Sequence, residues 1–112
     1  MQRIASEPRP LTETVFFLLL SLKSGPLHGY GMMKDIESLS DGRIRLTTGT
    51  LYGALKRLLQ EEWIVPFEQE DSSRDKKAYR LTELGCLQLD TEINRLRQVM
   101  AAISTRTREA SP

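Results

Sequence analysis

The feature that most constrains how this chain folds is a run of six apolar residues at positions 15–20. The run is far shorter than the about 20 apolar residues that a membrane-spanning helix needs. Apolar residues in and around it follow the spacing of a helix with two apolar faces: Leu11, Val15, Leu18, Leu19 and Leu22 on one face, and Phe16, Phe17 and Leu20 on the other. A helix of this kind is buried on both sides, whereas a chain of 112 residues forms only one modest core. We therefore expect a partner chain to cover part of this first helix.

Turn residues and hydrophobic spacing divide the next part of the chain into short elements. The polar, proline-containing residues 1–10 are expected to form a flexible arm. Gly25 and Pro26 end the first helix, and the pattern then predicts a second helix over residues 28–39 and a short strand over residues 43–46. Thr47 and Thr48 offer capping hydroxyls for a third helix. Its buried stripe consists of leucines: Leu51, Leu55, Leu58 and Leu59.

A two-stranded hairpin and a long helix complete the series. Residues 63–65 and 77–81 are typical of strands around a polar tip, and Pro66 confines the first strand to an edge of its sheet. Thr82 caps a last helix predicted over residues 82–108, before a frayed tail at 109–112. Apolar residues recur in this helix every three or four positions, as along a coiled-coil seam: Cys86, Leu89, Ile93, Leu96, Met100 and Ile103. We predict a dimer interface made by part of this seam and by the first helix: Phe16, Phe17, Leu20, Leu89, Ile93, Leu96, Met100 and Ile103.

The order helix, helix, short strand, helix, hairpin is that of a winged helix-turn-helix, in which the hairpin is called the wing. We therefore predict a mainly α-helical fold with a small β-hairpin wing. A winged helix-turn-helix domain would occupy residues 11–81, and a C-terminal dimerisation helix would follow at residues 82–108. In such a fold the third helix enters a major groove of DNA, while the wing lies along the adjacent backbone or minor groove.

The third helix carries the residue types that contact with DNA requires. Its leucines anchor one face, Gly49 and Gly53 keep its first turns slim, and free N–H groups at its start attract anions. The predicted DNA contacts, which include three cations of the wing, are Thr48, Gly49, Thr50, Tyr52, Lys56, Arg57, Arg74, Lys76 and Lys77. The net charge of +1 does not by itself indicate a nucleic-acid partner. Each contact also has a plainer interpretation: Lys56 and Arg57 as a solvated face, Tyr52 as a packing residue, and the basic wing as an ordinary hairpin.

Three segments resemble the PadR family of transcriptional regulators. They are the Leu-His-Gly-Tyr-Gly of residues 27–31, the stretch 48–58 around Leu-Tyr-Gly, and the Tyr-Arg-Leu-Thr-Glu-Leu-Gly of residues 79–85. The resemblance covers residues 11–105. It implies a homodimeric repressor whose C-terminal helix packs across the two-fold axis against the partner's first helix, and whose Tyr52 and start of the third helix contact the DNA backbone.

The sequence departs from the family pattern at two places. Glu62 stands where the family often has glycine, and a glutamate there is strained by about 1 kcal/mol if the position needs a positive φ. The C-terminal helix also lacks the aromatic residues between which some relatives bind flat drugs.

Other classes of function find little support in the residues. No glycine-rich phosphate loop, nucleophile elbow or metal-ligand cluster is present, so we predict no enzyme, no cofactor and no metal, with His28 serving the second helix. We expect Cys86 to be a small buried hydrophobic residue and Trp63 to anchor the core rather than line a ligand pocket. A lone cysteine and the lack of an export signal favour the cytoplasm.

Taken together, the residues predict a sequence-specific, homodimeric DNA-binding regulator, a repressor at a pseudo-palindromic operator, with no membrane contact. A small-molecule effector of unknown identity is compatible with this prediction. Two alternatives stay open. One is a winged-helix module that binds only proteins, and the other is a small-molecule-binding dimer whose DNA role is secondary.

Overall fold

A computed structural model describes residues 9–68 and 77–110. Those residues form four helices and one three-stranded antiparallel sheet. In chain order the elements are α1 (Glu13–Ser21), β1 (Leu27–His28), α2 (Gly29–Leu39), α3 (Thr48–Gln60), β2 (Ile64–Phe67), β3 (Ala78–Leu81) and α4 (Glu83–Ala110). The prediction of a mainly helical winged fold with a small hairpin is confirmed. The last helix runs through Ala110, two residues past its predicted end.

The predicted strand at residues 43–46 is wrong. Within the described chain these residues are irregular, and Arg43 is held by two hydrogen bonds of 2.8 and 3.0 Å to the carboxylate of Glu13. The remaining strand is β1, whose Leu27 and His28 pair with Tyr79 and Ala78 of β3. A strand of two residues is too short to be recognised from an alternation of polar and apolar residues in the sequence. The strand order β1-β3-β2 leaves β2 at an edge, as its proline requires.

The core lies where α1, α2 and α3 meet the sheet and the first half of α4. Its fully or almost fully buried apolar side chains are Leu18, Leu19, Leu22, Met32, Ile36, Leu51, Leu55, Leu58, Ile64, Ala78, Tyr79 and Leu89. The leucine stripe predicted for the third helix is therefore the part of α3 that faces this core. Trp63 is half-buried and packs against the cluster.

Threonines cap three of the helices, and two of these caps, Thr47 and Thr82, were predicted. The hydroxyls of Thr12 and Thr47 each accept a hydrogen bond of 3.1 Å from the backbone three residues on, at the starts of α1 and α3. Thr82 accepts from the Gly85 amide at 2.9 Å and donates to the carbonyl of Glu62 at 2.7 Å. It therefore fixes the start of α4 and ties it to the end of α3.

Gly85 shows why a glycine stands in the first turn of α4. A Cβ built on this residue would overlap the backbone carbonyl of Trp63. That carbonyl accepts a hydrogen bond of 3.0 Å from the amide of Thr82, so it cannot easily move away. The close approach of α4 to the end of α3 therefore requires a residue without a side chain.

The ends of α2 and α3 share one geometry. After α3, the amide of Trp63 bonds to the carbonyl of Leu58 and that of Glu62 to the carbonyl of Leu59, both at 3.0 Å. This pair of bonds is a Schellman motif, which places the residue after the C-cap in the left-handed region. Glu62 accordingly has φ +64°, and Asp41 holds the same place after α2 with φ +56°. The positive φ suspected at Glu62 is confirmed.

Candidate nucleic-acid interface

The exposed face of α3 gathers most of the predicted DNA contacts. Leu51, Leu55 and Leu58 hold the other face of the helix in the core. The exposed residues of α3 are Thr48, Gly49, Thr50, Tyr52, Gly53, Lys56, Arg57 and Gln60. Nothing lies within 4 Å of a Cβ built on Gly49 or Gly53, so the fold itself does not need glycine at either position.

Position around the helix separates two flanks of this face. At 100° per residue, Lys56 lies about 40° around α3 from Tyr52, whereas Arg57 lies about 140° away. Arg57 lines a groove of about 530 Å³ with Trp63 and Gln88, on the opposite flank of α3 from Tyr52. The predicted contacts therefore cover a broad arc of the helix rather than a narrow stripe.

Tyr52 reaches from α3 across to the start of α2. Its side chain lines a cleft of about 350 Å³ with β1, the first turn of α2 and Lys77. No side chain of the described residues caps α2, whose N-cap is His28, so the first N–H groups of α2 are without a side-chain partner. A hydroxyl, an ammonium group and a helix start around one cleft make an environment that suits an anion such as a phosphate.

The hydroxyl of Tyr52 sits directly over Gly29. A Cβ built on this buried glycine would lie 2.6 Å from the Tyr52 oxygen and 3.2 Å from its Cζ. Burial raises the pKa of Tyr79, and the charge of Tyr52 raises it further. The sequence prediction left His28, Gly29 and Tyr30 out of the interface. The sequence held one signal for this contact, which is the pair of glycines at the start of a helix. Glycines there lower the stability of the helix but let another side chain approach its backbone closely.

Only some of the basic residues are available to a ligand. Arg43 pairs with Glu13 at 2.8 Å and Arg45 with Glu37 at 3.5 Å. In contrast, no carboxylate within residues 9–68 and 77–110 forms an ion pair with any of the exposed cations predicted to contact DNA: Lys56, Arg57 and Lys77. Arg74 and Lys76, predicted for the wing, lie outside the described residues.

The thiol of Cys86 is exposed, so the expectation of a buried residue is wrong for the single protomer. The buried stripe of α4 is Gly85, Leu89 and Glu92, because the contact of Gly85 with Trp63 sets which side of the helix faces the body. This stripe is displaced by one residue from the predicted seam at its first and third positions, where the prediction had Cys86 and Ile93.

The remaining residues of the predicted dimer interface divide into two groups. Leu89 is fully buried within the protomer, and Ile93, Leu96, Phe16, Phe17 and Leu20 are half-buried. Met100 and Ile103 are 60% and 52% exposed on the distal half of α4, and the neighbouring Val99, which the prediction omitted, is 42% exposed. Among the described residues of the predicted interface, Met100 and Ile103 are thus the most exposed, and together with Val99 they form a distal apolar patch.

Glu92 is a buried carboxylate that the sequence prediction missed. It accepts two hydrogen bonds from Arg95, at 2.8 and 2.9 Å, and one of 3.3 Å from the amide of Leu11. The bonds from Arg95 hold its pKa below the ordinary value, burial opposes this shift, and the Leu11 amide adds to it. Glu92 thus links α4 to the segment that leads into α1.

Neither a metal-binding cluster nor a membrane-spanning helix occurs among the described residues. In that part of the chain, no group of three or more His, Cys, Asp or Glu side chains is placed to hold a metal ion. None of the helices found there combines the length and apolar character that crossing a membrane demands.

Comparison with known proteins points in one direction. Residues 18–91 match the model of the transcriptional regulator PadR-like family. An uncharacterised 37.1 kDa protein in transposon TN4556 of Streptomyces fradiae is 36% identical over 94 residues, which cover 84% of this chain. The matching part makes up 25% of that relative, so this chain spans about a quarter of its length.

Solved structures share the fold. A PadR family transcription regulator from Clostridium difficile R20291 superposes with a TM-score of 0.70 at 21% identity, over 86% of this chain and 99% of that one. Bacillus subtilis PadR, solved in complex with operator DNA, gives a TM-score of 0.63 at 23% identity, over 73% of this chain and 47% of that one.

Proposed function

The chain belongs to the PadR-like family of transcriptional regulators, and we propose that it binds operator DNA as a homodimer and represses transcription there. The observation that carries this proposal is the exposed face of α3, whose cations have no acidic partner among the described residues and whose Tyr52 lines a cleft with Lys77. The related Bacillus subtilis protein, solved on operator DNA, supports DNA as the partner.

The two parts of the face have different roles in this proposal. Tyr52, Lys77 and the start of α2 bind the phosphate backbone, and such contacts fix the register of a protein on a duplex. The first turns of α3 lie in the major groove, where Gly49 and Gly53 let its backbone approach the base edges. Thr50 accepts a hydrogen bond of 3.0 Å from Thr47, so its own hydroxyl hydrogen is left to donate to DNA.

The distal half of α4 supplies the dimer contact. Val99, Met100 and Ile103 follow the spacing of a helix–helix seam and are exposed in the protomer. We infer that they pack against the half-buried Phe16 and Phe17 of the partner. Two heads joined in this way bind half-sites about one helical turn apart and exclude other proteins from the DNA between them. Such a role on chromosomal DNA would place the protein in the cytoplasm.

Fluorescence anisotropy on a duplex selected from a randomised pool tests this proposal. The protein is titrated at about 150 mM salt against the selected duplex and a scrambled one, with Tyr52→Ala and Lys77→Ala beside the wild type. Lys23→Ala is the charge-matched control, because Lys23 lies at the end of α1 in an ion pair with Asp90. We expect the selected duplex to bind about 10³-fold more tightly than the scrambled one, and both interface variants to weaken it. Equal, weak binding of both duplexes that none of the variants changes would overturn the proposal and favour a protein-interaction module.

A further inference from the structure

We propose that Gly29 is a positioning residue for DNA binding, because it seats the Tyr52 hydroxyl at the place where that hydroxyl meets a phosphate. The proposal rests on the proposed function and assigns a role to a residue that does not itself need to touch DNA. Gly29 is buried at the start of α2, and Tyr52, whose hydroxyl and Cζ lie against it, is 45% exposed as a whole.

The contact between the two residues leaves no room for a methyl group. The Cβ of an alanine at position 29 would lie 2.6 Å from the Tyr52 oxygen, and real Cβ atoms do not approach oxygen so closely. The hydroxyl would have to move outward by roughly 1 Å to reach ordinary contact distance. Gly31, two residues on, is different, since its Cβ would meet only the side chain of Leu27, at 3.6 Å and beyond.

The atom that must move belongs to the end of a flexible side chain. Tyr52 lies on the exposed face of α3, so rotation about its side-chain bonds carries the ring toward solvent without disturbing the leucine stripe. The second contact of the new methyl, Cδ2 of Leu51 at 3.2 Å, needs a shift of only a few tenths of an ångström. Alanine at position 29 therefore leaves the fold intact and displaces the hydroxyl.

The cleft that the Tyr52 hydroxyl lines also contains the ammonium-bearing side chain of Lys77. The register of β1 and β3 pairs His28 with Ala78, so the residues next in line are Gly29 and Lys77. Lys77 and Tyr52 line one cleft of about 350 Å³. A phosphate oxygen held by both groups is sensitive to a shift of 1 Å, because hydrogen bonds lose most of their strength over that distance.

A double-mutant cycle tests this role. Gly29→Ala, Tyr52→Phe and the double variant are compared with the wild type on the selected duplex, and Ser38→Thr is the control that adds a methyl group to an exposed position of α2 outside the cleft. We expect Gly29→Ala to weaken binding about tenfold, as does loss of a hydrogen bond to a charged group. In the Tyr52→Phe background, where no hydroxyl remains to be displaced, the same substitution is expected to change affinity less than about twofold. Thermal unfolding checks that all four variants remain folded.

Other outcomes would overturn either the role of Gly29 alone or that role together with the proposed function. An equal loss from Gly29→Ala in both backgrounds would mean that the alanine acts through α2 rather than through Tyr52, and it would overturn this proposal alone. A wild-type affinity for Gly29→Ala, beside a weakened Tyr52→Phe, would do the same. A wild-type protein that does not distinguish the selected duplex from the scrambled one would overturn the proposed function and this role together.

Discussion

At the residue scale, two acidic residues occupy backbone conformations that favour glycine. Glu62 has φ +64° and Asp41 has φ +56°, each directly after the C-cap of a helix. The glycine that the PadR family often has at this position indicated a positive φ at Glu62, whereas nothing in the sequence distinguished Asp41 from an ordinary turn residue. Aspartate tolerates the left-handed region better than glutamate does, because its short side chain bonds locally. The strain is therefore concentrated at Glu62.

Glu62→Gly is expected to raise the free energy of unfolding by about 1 kcal/mol, since glycine pays no steric penalty at positive φ. Urea unfolding at a fixed protein concentration measures the change. Glu61→Gly is the matched control: it removes the same charge one residue earlier, where φ is −77°. An equal gain from both variants would contradict the backbone explanation and attribute the effect to the lost negative charge near the C-terminus of α3.

Glu92 is expected to make the stability of the folded protein depend on pH in the acid range. Its pKa is lower in the folded protein than the ordinary value of 4.5, because it accepts hydrogen bonds from Arg95. The unfolded chain therefore binds the proton first, and the stabilisation that Glu92 provides above about pH 4.5 is lost as the pH falls through the lowered pKa. Glu92→Gln is expected to lower the melting temperature at pH 7 and to flatten its decline below pH 4.5. An acid decline as steep as that of the wild type would show that other carboxylates cause it.

At the element scale, the helices and the two strands of the hairpin were predictable, whereas the two-residue strand β1 was not. The spacing of Leu51, Leu55 and Leu58 predicted that α3 is a helix and which of its sides faces the core. The threonine caps predicted where helices begin. β1 has two residues and exists only because β3 offers it partners from a distant part of the chain. The orientation of α4 depends on the contact of Gly85 with the Trp63 carbonyl, which no periodicity along α4 could reveal. The exposed face of α3 was predictable for the same reason as its core face, whereas the contact of Tyr52 with α2 is tertiary.

The glycines of α3 indicate a conflict between stability and binding. A Cβ at Gly53 would meet nothing within 4 Å, so Gly53→Ala is expected to stabilise the protein by about 0.5–1 kcal/mol through helix propensity. The same methyl group projects where α3 approaches DNA, and we expect affinity for the selected duplex to fall several-fold. Ser38→Ala, at an exposed position of α2 outside the cleft, is the control that also raises helix propensity. A stabilised Gly53→Ala protein that binds as tightly as the wild type would show that α3 does not approach DNA through this face.

At the scale of the whole molecule, α4 sets the shape. The radius of gyration is 16.7 Å, whereas about 13 Å is expected for a compact chain of this length. The long axis of 60 Å reflects a 28-residue helix whose residues 97–110 are all exposed. The distal half of this helix packs against little else in the protomer and is weakly stabilised by itself, because helical stability in proteins comes mainly from packing. The shape of the single protomer thus favours a second protomer as the partner of the distal patch.

Met100→Glu tests the patch and the proposed assembly together. A carboxylate in a buried seam would lose its hydration without gaining a partner, so we expect light scattering to report a dimer for the wild type and a monomer for this variant. Gln98→Glu adds the same charge two residues away on α4 and should leave the dimer intact. On the selected duplex, the slope of log affinity against log salt is expected to be on the order of −6 to −10 for the wild type and about half of that for the monomer, because one head releases half of the counterions. A Met100→Glu protein that stays dimeric would place the interface elsewhere, and a monomer with the full wild-type slope would mean that a single head makes all of the phosphate contacts.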